Sequence, residues 1–73
     1  MHITENELAD LRSRYKPGTR VELVSMNDLQ APPMGTKGVV RFVDDVGTIH
    51  VSWDNSCGLG VAYGEDICRI IST

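Results

Sequence analysis

Residues 43–55 read VDDVGTIHVSWDN and predict a β-hairpin that runs into a second turn. Over residues 48–53 apolar and polar side chains alternate, which is the pattern of a strand with one buried face. The preceding DDVG has the composition of a tight turn, where Asp bonds the backbone two residues ahead and Gly47 takes a positive φ. We therefore expect Ile49, Val51 and Trp53 to face a core, and the aspartates to lie at the bends.

The β pattern continues on both sides of this hairpin. We expect further strands at residues 19–24, 39–43 and 59–64, and a last strand of about three residues after a short helical turn in EDICRII (65–71). In VVRFV (39–43), simple alternation places Val40 and Phe42 on one face with Arg41 opposite.

The connection between the first two strands is expected to be long. Residues 25–38 are rich in turn formers, and Pro32 with Pro33 excludes a central strand there. Five short strands with a long first loop, tight later turns and one helical turn before the last strand are typical of a small SH3-like barrel. The predicted fold is thus mainly β, with the barrel at about residues 19–72.

The N-terminal segment predicts an α-helix over about residues 4–15. Thr4 and Glu7 have the spacing of a capping box, and Ile3 with Leu8 has the spacing of a hydrophobic staple. The helix should end before Pro17, which lacks a backbone donor. Helix and barrel together make residues 1–73 a single domain.

The segments GTRVEL, MGTKGVVRFV and VDDVGTIHVSWDN carry a resemblance to a known family. From about Tyr15 to Gly64 the chain resembles small domains of unknown function from bacteria and their phages, marked by a strand after Pro-Gly-Thr, a Gly-Thr-x-Gly turn and a VDDxGTIHVxWDNG-like hairpin. Ser56 and Cys57 stand where that pattern has Gly. More distantly, the chain is similar to SH3-like repeats of Mind-bomb and HERC ubiquitin ligases. The resemblance implies a fold and a mobile-element origin, and no reaction.

Cysteine usage and hydropathy bear on metal binding and location. Cys57 and Cys68 lie eleven residues apart without a second ligand pair, so no zinc site and no other cofactor is predicted. No apolar run approaches the length that spans a bilayer. We expect a cytoplasmic protein with two free thiols and no membrane contact.

Charged residues are segregated along the chain. The formal net charge of −3 disfavours binding driven by phosphate neutralisation. An acidic face is predicted from Asp44, Asp45, Asp54, Glu65 and Asp66, and an alternative basic surface from Arg12, Arg14, Lys16, Arg20, Lys37 and Arg41. Solvated surface charge is the plainer interpretation of both sets.

His50 and Trp53 are the side chains with a functional alternative. Alternation places His50 on the outer face, away from either thiol, so catalysis with Asp44 is disfavoured. Trp53 either packs in the barrel or serves as a half-exposed interface anchor. Aromatic side chains are too few for a groove that binds proline-rich peptides.

We therefore predict a non-enzymatic module, without catalytic residues, that binds another macromolecule, with a protein as the first choice. The predicted binding residues are Trp53 and the acidic face. A nucleic-acid-binding barrel of the KOW or Sm type, using the basic surface, is one alternative. Inhibition of a host defence nuclease by acidic mimicry is a second. The chain is expected to be a monomer or a homodimer.

Overall fold

A computed structural model describes residues 3–72 of the chain. Its elements, in chain order, are α1 (Glu5–Arg14), β1 (Arg20–Ser25), β2 (Lys37–Val43), β3 (Ile49–Trp53) and β4 (Ile67–Ser72). The four strands form one antiparallel sheet in the order β3-β2-β1-β4. Among these residues no helix is both long and apolar enough to cross a membrane.

The predicted helix and its caps are confirmed. The Thr4 hydroxyl accepts the backbone N–H of Glu7 at 3.1 Å, and the Glu7 carboxylate accepts that of Thr4 at 3.0 Å. These two bonds satisfy donors that a helix N-terminus otherwise leaves free. The helix is capped at its C-terminus by Tyr15, two residues before Pro17.

The sheet is open and four-stranded, so a closed five-stranded barrel is not observed. Residues 59–64 do not form the predicted strand, and their only ladder contact is one antiparallel bridge between Ile49 and Val61. Glycine weakens a strand because it has no side chain to pack, and Gly60 and Gly64 lie in this segment. The carbonyl of Leu59 instead accepts a hydrogen bond from the Trp53 indole at 2.8 Å.

The end of the chain follows the predicted order with different lengths. A helical turn precedes the last strand, since the carbonyl of Ala62 accepts the N–H groups of Glu65 and Asp66 at 3.1 and 3.0 Å. Strand β4 then extends over six residues, twice the predicted length. It pairs with the whole of β1, which explains its length.

A β-bulge in β2 changes the side-chain alternation that the sequence predicts. Val40 pairs with Val51, but the next pair is Phe42 with His50, so Arg41 is an extra residue in β2. An extra residue shifts the two-residue period by one and turns the following side chain to the other face. The prediction that Val40 and Phe42 share a face is therefore wrong: Phe42 is 46% exposed, whereas Val40 is buried.

The core lies between the inner face of the sheet and α1. Val21, Leu23, Val40 and Val51 are its most completely buried side chains, with Leu11 and Tyr15 added from the helical segment. Gly38 is required where β2 meets β3, because a Cβ there would lie 2.6 Å from Val51 Cγ1 and 2.8 Å from the Ser52 carbonyl oxygen. Packing this tight brings β2 and β3 together at this point of the sheet.

Candidate functional site

The β2–β3 turn is organised by the carboxylate of Asp44. Its Oδ1 atom accepts the backbone N–H groups of Val46 and Thr48 at 3.1 and 2.9 Å. Gly47 has φ +87°, as expected for the position after an Asp turn. The predicted turn role of Asp44 is thus confirmed.

The same carboxylate also fixes the imidazole of His50. Asp44 Oδ2 lies 2.8 Å from His50 Nε2, and an ionised carboxylate only accepts, so Nε2 donates. Partial burial on its own raises the pKa of Asp44, but hydrogen bonds from His50, Thr48 and Val46 outweigh it. The pKa therefore lies below the ordinary value of an aspartic acid.

His50 in turn stacks on the exposed ring of Phe42. The ring centroids are 4.3 Å apart and the planes differ by 11°. His50 is therefore an outer-face residue, as predicted, but it is half-buried and held on two sides rather than free in solvent. We call Phe42, His50, Asp44, the bulged Arg41 and the turn residue Val46 the Phe42 surface.

The connection between α1 and β1 borders this surface. The carbonyl of Val40 accepts the N–H of Gly18 at 2.8 Å, and the N–H of Val40 is donated to Thr19 at 2.9 Å. Residues 16–19 are therefore fixed beside the bulge. A Cβ added to Gly18 would meet nothing within 4 Å, so this side is open to solvent.

The predicted acidic face is not a separate surface, because basic side chains already pair with two of its members. Arg12 Nη2 lies 2.8 Å from Asp45 Oδ1. Arg20 makes a bidentate contact with Asp54 at 3.1 and 3.0 Å, and Arg20 is the largest cause of the lowered pKa of Asp54.

The two remaining acidic residues lie in the turn before β4. Asp66 accepts the backbone N–H of Ala62 at 3.0 Å, whereas Glu65 is exposed.

The predicted basic surface is divided in the same way. Arg12 and Arg20 pair across the fold, and Arg14 pairs with Asp10 on its own helix at 3.1 Å. The other three members form no ion pair with any residue that the structure describes; they are Lys16, Lys37 and Arg41. Arg41 belongs to the Phe42 surface, and Lys16 lies in the α1–β1 connection, where its carbonyl accepts the N–H of Thr19.

Trp53 belongs to the core, which contradicts the prediction that it is a binding residue. It is 2% exposed, and its indole N–H is satisfied by the Leu59 carbonyl. A residue this buried packs the fold and is not available to a partner. The exposed aromatic side chain is instead Phe42. The sequence did not reveal this exposure, because a β-bulge leaves no mark in the pattern of apolar residues.

The Asp44–His50 pair has the geometry of an oriented base, but neither thiol supplies a nucleophile beside it. Cys68 is buried, and burial raises the pKa of its thiol to about 11. The Cys57 thiol lies 3.9 Å from the carbonyl of Gln30 in the long loop. Among residues 3–72, no group of three His, Cys, Asp or Glu side chains is placed to hold a metal ion.

A groove of about 190 Å³ lies between α1 and the start of β4. Its walls are mostly apolar and include Leu11, Tyr15 and Val61. The Tyr63 hydroxyl donates to Glu7 at 2.7 Å and so joins the turn before β4 to the helix. These contacts tie the helix to the sheet, and we assign the groove a structural role.

The fold and its outer face define a small mainly-β domain with an ordered aromatic surface beside a tight hairpin. A family model of a domain of unknown function, DUF4314, matches residues 4–71, and the chain belongs to that family. Comparisons with curated proteins and with solved structures each found no match. Ser56, which stands where the family pattern has Gly, has φ +70°, a conformation that favours glycine.

Proposed function

We propose that this domain is a non-enzymatic binding module that recognises another protein through the Phe42 surface. The observation that carries the proposal is the ordered exposure of Phe42. The residue is 46% exposed although its ring stacks on His50, which Asp44 holds in place. A rigid exposed aromatic side chain loses little entropy on binding, and such residues dominate protein interfaces.

The surroundings of Phe42 support a protein partner. Interfaces have an apolar centre and a polar rim. Val46, 71% exposed at the turn, adds to the apolar centre, and the Arg12–Asp45 pair at the same turn provides a rim without excess charge. This balance supports acidic mimicry of nucleic acid less well, because Asp45 and Asp54 are already neutralised.

We infer further that the sheet is an open relative of the SH3-like barrel. The Ile49–Val61 bridge supports this, since it adds a minimal fifth element beside β3. The helical turn before β4 and the long loop between β1 and β2 also agree with that order of elements. In this arrangement the Phe42 surface lies on the β2–β3 hairpin and not beside the long first loop.

A photo-cross-linking experiment tests the proposal. Benzoylphenylalanine replaces Phe42 in one sample and Leu29, fully exposed in the long loop, in a matched control. We expect a specific cross-linked protein from position 42 and not from position 29. With that protein purified, Phe42→Ala should weaken its binding about 30-fold, the effect of a 2 kcal/mol hot spot.

Equal loss of binding in Phe42→Ala and Leu29→Ala would contradict the assignment of this surface. Thermal unfolding of both variants provides the necessary control, since each must remain folded at the temperature of the assay.

Single-stranded nucleic acid is a second candidate partner, favoured by one observation. Arg41, which precedes Phe42 on β2, forms no ion pair among the described residues, and exposed aromatic rings beside cations can stack bases. Fluorescence anisotropy with labelled 20-nucleotide DNA and RNA at low salt tests this. Binding that Phe42→Ala and Arg41→Ala both abolish would favour it over a protein partner.

A further inference from the structure

We infer that residues 57–61 are a conditional fifth strand of the sheet, which a rotation of the Leu59–Gly60 peptide would complete. The rotation would transfer the Leu59 carbonyl from the Trp53 indole to the backbone of Val51. This inference concerns the outer edge of β3 and holds whether or not the Phe42 surface binds a partner.

Residues 57–61 already have the register of a strand antiparallel to β3. At one end, Ile49 and Val61 exchange two backbone hydrogen bonds, each of 2.9 Å. At the other end, the N–H of Trp53 is donated to the carbonyl of Cys57 at 3.1 Å. Both contacts belong to one antiparallel register, since each step forward along β3 corresponds to one step back along residues 57–61.

The central pair of this register is not hydrogen-bonded. The register places Leu59 opposite Val51. Alternate residues of an antiparallel strand direct their N–H and C=O groups to the same side, so those of Val51 face Leu59 as those of Ile49 face Val61. Among residues 3–72, however, Val51 and Leu59 share no hydrogen bond, and the Leu59 carbonyl accepts the Trp53 indole N–H at 2.8 Å instead.

The turn between β3 and residues 57–61 is a hairpin turn. Residues 54–56 form a three-residue loop in which the N–H of Ser56 is donated to the carbonyl of Trp53 at 3.0 Å. Ser56, the last loop residue, has φ +70°, and three-residue hairpin loops commonly end in this left-handed conformation. The chain therefore returns along β3 as the second strand of a hairpin does.

Glycines allow the central peptide to rotate. Leu59 lies between Gly58 and Gly60. Rotation of a peptide plane changes φ of the residue that follows it, and glycine adopts positive and negative φ with similar ease. A Cβ on Gly60 would lie 2.5 Å from Thr48 Cγ2, so this part of the chain is already against the residue that leads into β3.

The Trp53 indole is the group that keeps the strand incomplete. Trp53 is 2% exposed, so its N–H requires an acceptor inside the protein. A completed strand would add the hydrogen bonds between Val51 and Leu59 but would leave this indole donor unpaired. The cost of one buried unpaired donor is comparable with the net contribution of two hydrogen bonds. Removal of the indole N–H should therefore shift the balance towards the completed strand.

Amide hydrogen exchange measured by NMR tests the inference in the wild type. We expect the Val51 amide to exchange about tenfold faster than the amides of Ile49 and Trp53, the effect of one net hydrogen bond. Ser52, whose position in β3 directs its amide towards β2, is the internal control and should be protected.

The same measurement on a chain without the indole N–H tests the switch. Benzothienylalanine replaces Trp53 and keeps the ring shape, but it has sulfur in place of the N–H. The Val51 amide should then become as protected as that of Ile49, and a scalar coupling across the new hydrogen bond should join the Val51 nitrogen to the Leu59 carbonyl carbon. The ratio of the Val51 and Ile49 rates is compared within each protein, so that a change in global stability cancels.

Two results would overturn the inference. A wild-type Val51 amide as slow as those of its bonded neighbours would mean that the strand is already complete. A Val51 amide that stays fast in the benzothienylalanine protein would mean that the indole does not keep the pair apart. Trp53→Phe repeats the comparison with a natural side chain, and the protection of Val51 relative to Ile49 should rise in this variant as well; an unchanged ratio would contradict the switch.

Discussion

Trp53→Ala should leave this domain largely unfolded at 25 °C. Truncating a buried tryptophan costs about 3–5 kcal/mol, and a core of this size rarely provides more than about 3–5 kcal/mol of net stability. Trp53 is 2% exposed and also donates its indole N–H to Leu59. Its removal would therefore create a cavity and release the segment that bridges to β3.

Urea denaturation followed by far-UV circular dichroism measures this effect. Fluorescence is unsuitable for the comparison, because Trp53 is the sole tryptophan of the chain. Trp53→Phe is the matched control: it keeps an aromatic ring but cannot bond the Leu59 carbonyl, and we expect a loss of about 1–2 kcal/mol with the fold retained. Similar urea midpoints for Trp53→Ala and the wild type would show that Trp53 does not support the core.

Local chemistry explains which parts of the fold could be predicted from the sequence. The Thr4–Glu7 capping box and the Asp44 turn depend on residues two to four positions apart, so their spacing is visible in the chain itself. The buried face of β3 follows from strict alternation over five residues. In each case one short segment contains all the groups that determine its conformation.

The features that were not predicted depend on pairing between distant segments. The Arg41 bulge results from the register of β2 against β3, and an apolar pattern does not specify where a strand gains an extra residue. This single shift turns Phe42 away from the face of Val40, on which alternation placed it, and creates the candidate site. The residue singled out as an anchor, Trp53, was correctly placed on the core face by alternation and is buried there.

The charge pattern failed as a guide for a related reason. Arg12 and Asp45 are 33 residues apart in the chain, and Arg20 and Asp54 are 34 apart, yet each pair is in contact. Blocks of like charge along a sequence do not become separate faces when the fold brings the blocks together. A surface prediction from charge therefore requires the tertiary fold, which brings these segments into contact.

Asp44→Ala should cost about 2 kcal/mol and disorder the Phe42 surface. The substitution removes the acceptor of three hydrogen bonds, two from the turn backbone and one from His50, and each such bond contributes about 0.5–1.5 kcal/mol, less where solvent reaches it. Asp44→Asn is the matched control. Its amide oxygen can still accept from Val46 and Thr48, so we expect a smaller loss.

Acid should erase the difference between the wild type and Asp44→Asn. Because the pKa of Asp44 is lowered in the folded chain, its ionised form stabilises the fold at pH values above the unfolded value of about 4. This contribution is lost as the pH falls through the lowered folded value. Urea midpoints of the two proteins should therefore differ at pH 6 and converge towards pH 2. A difference that is independent of pH over this range would mean that the Asp44 carboxylate does not hold the turn and His50 through its charge.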